Sequence, residues 1–138
     1  MDASIIILFA IVLVLGVFLF MLTTLNKRGG ALNVDKYRVQ WLAIEQSVVK
    51  GSEPSYHLAI LNADKLVDQA LRERGYAGKT MGDRIKSTRG KLSDRDALWT
   101  SHKLRNRIAH EPDVRVNYDQ ARRALAGFKK TLKDLGAI

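Results

Sequence analysis

Residues 4–25 read SIIILFAIVLVLGVFLFMLTTL, a run with no charged side chain. As an α-helix its 22 residues would span ~33 Å at about 1.5 Å per residue, the thickness of a ~30 Å bilayer hydrocarbon core. A core helix of a small globular domain keeps one polar face, and this run has none. The first part of the chain is therefore assigned to lipid, and the remainder has the length for one modest hydrophobic core.

The flanks distinguish an anchor from a cleavable leader. A leader wants a basic start and a small-x-small cleavage site, whereas here Asp2 is the only charged side chain before the run and Asn26-Lys27-Arg28 closes it. Lys27, Arg28, Lys36 and Arg38 follow the run and no Lys or Arg precedes it, which predicts a single pass with the N-terminus outside and the C-terminal part in the cytoplasm. Gly16 is the sole glycine of residues 4–25, so no GxxxG dimer face is present and the segment reads as a tether in membrane lipid.

The chain carries 23 Lys+Arg against 14 Asp+Glu, and one of those acids, Asp2, lies before the apolar run. So basic a surface favours polyanions, either nucleic acid or the anionic inner leaflet. There is no cysteine, which excludes disulfides and thiolate zinc sites. The three histidines, His57, His102 and His110, form no HxxxH or HExxH pair, so neither a metal nor a cofactor is expected.

Beyond a basic, glycine-bearing linker at residues 26–34, hydrophobic spacing is helical throughout, and a domain over residues 35–138 is expected. The first helix, at about residues 35–50, has Tyr37, Trp41, Ile44 and Val48 on one face and Gly51 after it. Ser52 and Pro54 announce the next, about 53–74, with Ser52 a candidate N-cap. Its stripe is Ala59, Ile60, Ala63, Leu66, Val67, Ala70 and Leu71, against a polar side that includes Asn62, Asp64, Lys65 and Asp68. A short helix at about 81–90 comes next. Ser93 or Asp94 then caps a helix that must end near Glu111, because Pro112 disfavours helical geometry in the residue before it. The last helix, about 118–135, spaces Tyr118, Ala121, Leu125, Phe128, Leu132 and Leu135 in a narrow seam. The fold class is all-α: one transmembrane helix, then an up-down bundle of four or five helices.

Two motifs invite chemistry. The loop Gly75-Tyr76-Ala77-Gly78-Lys79-Thr80 contains GKT, but a phosphate loop needs a glycine where this chain has Glu73, and a strand before it where this chain has a helix. It reads as a helix cap and turn. The stretch Leu104-Arg105-Asn106-Arg107-Ile108-Ala109-His110-Glu111-Pro112 is more informative, with a histidine five positions after an arginine at a helix end.

That segment resembles the R-x4-6-H signature of HEPN domains, small α-helical bundles that include metal-independent ribonucleases of toxin, defence and RNA-processing systems. Ala63-Asp64-Lys65-Leu66, the ALRERG end of its helix and the amphipathic helix after the motif are similar to the family too, so the resemblance covers about residues 35–135. It implies a homodimer whose composite site brings Arg105 and His110 of two copies together, with Asn106 orienting them. Some relatives act only as binding or dimerisation modules, so the resemblance implies either a ribonuclease or a module that recruits RNA or a protein partner. It assigns no role to His102.

The chemistry fits the residue types. Metal-free RNA cleavage needs a group that exchanges protons near neutrality, as histidine does, and a fixed positive fork for the phosphate, as arginine supplies. Residues five apart on a helix differ by about 140°, so Arg105 and His110 converge poorly within one chain. Histidine at a helix C-terminus and arginine paired with Glu111 or Asp113 are the competing structural uses. Residues 84–107 hold eight Lys+Arg and two acids, and Arg84, Lys86, Arg89, Lys91, Lys103 and Arg107 are the candidate RNA contacts. Only Trp99 offers a stacking ring there. A third class of reading is a structural membrane protein whose basic face rests on anionic lipid.

Overall fold

The computed structural model describes residues 2–25 and 30–138. Met1 and residues 26–29, which include Lys27 and Arg28, lie outside the described residues. The described residues form six helices and no strand: α1 (Ala3–Leu25), α2 (Val34–Ser47), α3 (Glu53–Glu73), α4 (Met81–Ser87), α5 (Arg95–His110) and α6 (Tyr118–Asp134). By length and composition α1 can cross a membrane. Among the described residues it does not pack against the other helices, and large apolar side chains such as Phe9 and Phe18 are exposed.

The remaining helices form the bundle. α3 and α6 pack on each other, α5 packs on both, α2 covers one side of α3, and α4 bridges α3 and α5. The core is built from the expected stripes: Tyr37, Trp41 and Ile44 from α2, Ala59, Ile60, Ala63, Val67 and Leu71 from α3, and Ala121, Leu125, Phe128 and Leu132 from α6 are all buried. Gly127 sets the approach of α6 to α5. A Cβ there would stand 2.6 Å from Ser101 Oγ and 3.0 Å from the Ala97 carbonyl, and Ser101 Oγ instead reaches across to donate to the Ala124 carbonyl at 3.0 Å.

Local signals set the helix ends. Asn33 accepts from Lys36 N at the start of α2, and Asn117 forms a reciprocal capping box with Gln120 on α6. At α5 the cap is Asp94, accepting from Ala97 N at 2.9 Å. Ser93 has another task, donating from its backbone and hydroxyl to Asp134 at 2.9 and 2.8 Å and so tying the turn before α5 to the end of α6. Ser52 occupies the N-cap position of α3 but makes no side-chain capping bond, contrary to expectation. At the end of α5, Glu111 is extended before Pro112 (φ −105°, ψ 128°), the geometry that proline imposes on its predecessor.

The GKT loop is a cap and turn. Gly75, at φ 84°, closes α3: its N–H reaches the Arg72 carbonyl and that of Tyr76 reaches the Leu71 carbonyl, the Schellman pattern. A Cβ on Gly78 would stand 2.7 Å from Arg84 N, so the loop lies directly on the first turn of α4.

Candidate functional site

α5 carries the motif along the wall of a cavity of about 850 Å³ between α3, α4 and α5. His102, Lys103, Arg105, Asn106 and His110 all line it, with Trp99 one turn before His102 and with Asp64 and Lys65 contributed by α3. One chain thus brings the three expected catalytic residues, Arg105, Asn106 and His110, to one wall. They are not equivalent on it. His110 is exposed at the last turn of α5 and makes no hydrogen bond or ion pair among the described residues. Arg105 and Asn106 are half-buried and bonded.

The acid that pairs with Arg105 is the residue that the hydrophobic pattern misplaces. Asp64 belongs to the expected polar side of α3, yet it is only 4% exposed. At 100° per residue it falls beside Ile60, Val67 and Leu71, inside the buried arc. A carboxylate there needs partners. It finds His102, also buried, whose Nδ1 lies 2.7 Å from Asp64 Oδ1, and Arg105, whose Nε stands 3.3 Å from Asp64 Oδ2 as an ion pair and not as a hydrogen bond.

Two further bonds close a ring. Arg105 Nη1 donates to Asn106 Oδ1 at 3.0 Å, and Asn106 Nδ2 faces His102 Nε2 at 3.2 Å. The proton arrangement is fixed from the outside in. Asn106 Oδ1 accepts from a guanidinium that can only donate, so its Nδ2 must donate to His102 Nε2. Nε2 is then an acceptor, and Nδ1 carries the proton donated to Asp64. His102 thus has both ring nitrogens engaged within the ring, which leaves His110 as the histidine of the cavity with no side-chain bond among the described residues.

The six basic candidates divide. Lys103 lies on the cavity wall, its Nζ 5.7 Å from the Trp99 ring centroid. Lys86, Arg89 and Lys91 are exposed on and after α4 but do not line the cavity. Arg107 points to the α5–α6 groove and pairs with Glu111 at 3.4 Å. Arg84 is not an available phosphate contact. It is 7% exposed, donating to both oxygens of Asp68 at 2.6 and 3.1 Å and to the Gly78 carbonyl at 2.6 Å, so it clamps α4 and the preceding loop onto α3. A buried arginine with its fork filled by a carboxylate is a scaffold element.

No group of three or more potential ligand side chains that could hold a metal occurs among the described residues. No protein-family model matches the chain, and no curated protein or solved structure matches it.

Proposed function

We propose that the chain is a membrane-anchored, HEPN-like domain that binds RNA at the cytoplasmic face and cleaves it without a metal. The observation that carries this reading is the shared wall on which Arg105, Asn106 and His110 meet a cavity with Lys65 and Lys103 at its edge. In that arrangement Arg105, braced through Nε and Nη1, offers Nη2 to a phosphate oxygen. His110 exchanges the protons of the 2′-hydroxyl and of the leaving oxygen. Cleavage of this kind forms the bond from the 2′-oxygen to phosphorus and breaks that to the 5′-oxygen, leaving a 2′,3′-cyclic phosphate and a 5′-hydroxyl. The first test is binding. Lys103→Ala is expected to weaken binding of labelled RNA and lower the salt slope by about one counterion, as for one phosphate contact. No salt-dependent RNA binding by the full chain contradicts the reading.

The non-catalytic module is the second reading, and one observation favours it: Arg105 is held by Asp64 and Asn106 within its own chain, as an arginine used for structure would be. Both readings carry the homodimer that the resemblance implies; in the catalytic one, no hydrogen bond or ion pair joins Arg105 to His110 among the described residues, and a second copy would complete the site. Sedimentation of the full chain in detergent at micromolar concentration is expected to give a dimer, and a strict monomer contradicts the composite site. The proposed orientation rests on the basic residues after α1. Protease added outside intact cells is expected to spare the bundle, and digestion of it contradicts that orientation.

A further inference from the structure

α2 has a face that the bundle does not use. It packs inward through Tyr37, Trp41 and Ile44. At 100° per residue its opposite side presents Val39 and Leu42, which are 69% and 52% exposed. Lys36 and Arg38, both exposed, border those two residues on either side, and Asp35 and Gln46 lie toward the two ends of the face. Single exposed apolar residues are ordinary on a protein surface. This pair is distinguished by its basic borders and by its place in the chain: only residues 26–33 separate Leu25 of α1 from Val34, and eight residues reach at most ~28 Å at about 3.5 Å each.

We propose that the outer face of α2 lies in the interface of the anionic leaflet from which α1 emerges, with Val39 and Leu42 at the headgroup–acyl boundary and Lys36 and Arg38 extending to lipid phosphates. Apolar side chains flanked by lysine and arginine are the composition of an interfacial helix, and the long basic side chains keep their charges at headgroup level while their stems cover apolar surface. The anionic leaflet supplies the complementary charge. The proposal rests on α1 crossing the membrane. It has a consequence for the candidate site. No residue of α2 lines the cavity between α3, α4 and α5, so seating the outer face of α2 on lipid leaves the residues of that cavity uncovered by the contact.

The chain has no cysteine, so single spin labels can be placed on the full protein without removing a native thiol. Leu42→Cys, Leu13→Cys on α1 and Thr100→Cys on the exposed side of α5 are each labelled with a nitroxide in nanodiscs of phosphatidylcholine and phosphatidylserine. Relaxation by oxygen, which concentrates in lipid, is compared with relaxation by a water-soluble nickel chelate. The label at 42 is expected to favour oxygen as the label at 13 does, while that at 100 favours nickel. Adding Lys36→Glu and Arg38→Glu is expected to shift position 42 toward the aqueous pattern. If position 42 matches position 100 while position 13 remains in lipid, the interfacial placement is overturned and the anchor stands. Protection of position 42 from both reagents means that protein covers it, which also overturns the proposal in favour of a contact between chains. An aqueous signal at position 13 removes the anchor and the proposal together.

Discussion

His110→Ala is expected to reduce RNA cleavage by about 10²–10⁴-fold, the usual worth of a positioned proton-transfer group, while changing stability by less than about 1 kcal/mol, the scale of a charge at a helix C-terminus. The separation of the two effects follows from where the side chain stands. His110 is exposed on the last turn of α5 and has no bond among the described residues to lose. Arg105→Lys is expected to behave differently. Lysine keeps the charge but lacks the planar fork that reaches Asp64 and Asn106 while presenting a further N–H outward. Activity and melting temperature should therefore both fall. Single-turnover cleavage and thermal melting on the same preparations check the pair. Wild-type cleavage by His110→Ala contradicts the assignment of the proton-transfer role.

The largest effect on stability is expected at Asp64. Asp64→Ala leaves the His102 Nδ1–H without its acceptor and removes the counter-charge of Arg105, in a place where neither the carboxylate nor the imidazole meets much water. Leaving a buried donor without its acceptor typically costs about 1–3 kcal/mol, which for a bundle of this length lowers the melting temperature by roughly 4–12 °C. Asp64→Asn should cost less, because an amide oxygen can still accept from His102 Nδ1–H. An Asp64→Ala protein that melts with wild type would mean that the ring contributes nothing to the fold.

Much of the fold was legible because its signals are local. The uncharged run of residues 4–25, the glycine after α3 and the proline after α5 each act within a few residues of themselves, and the helices end within a few residues of where those signals place them. Caps were legible in kind and less so in identity. Ser93 and Asp94 are both capping residue types, and the choice between them was made by Asp134, 41 residues away in sequence, which takes Ser93. The candidate site was half legible. Arg105, Asn106 and His110 sit together on one helix, and their spacing is visible in the chain. Asp64 was hidden by its residue type, since a carboxylate beside a hydrophobic stripe reads as solvated until its partner on another helix is known. Its position within the arc of Ile60, Val67 and Leu71 was the available signal, and the shared face of His102, Asn106 and His110 was the other. Arg84 was misjudged for the related reason that a cation in a basic stretch gives no sign of the acid, Asp68, that will bury it.

The claim that the Arg105–Asn106–His110 wall cuts RNA is tested most directly by end-group analysis. Full-length protein and its His110→Ala variant, both in nanodiscs, are incubated with mixed RNA in excess chelator and the new ends are characterised. The wild-type protein is expected to leave 2′,3′-cyclic phosphate and 5′-hydroxyl ends, and the variant to leave the RNA intact. RNA left whole by a wild-type protein that binds it, or cut equally by both proteins, would contradict the catalytic claim.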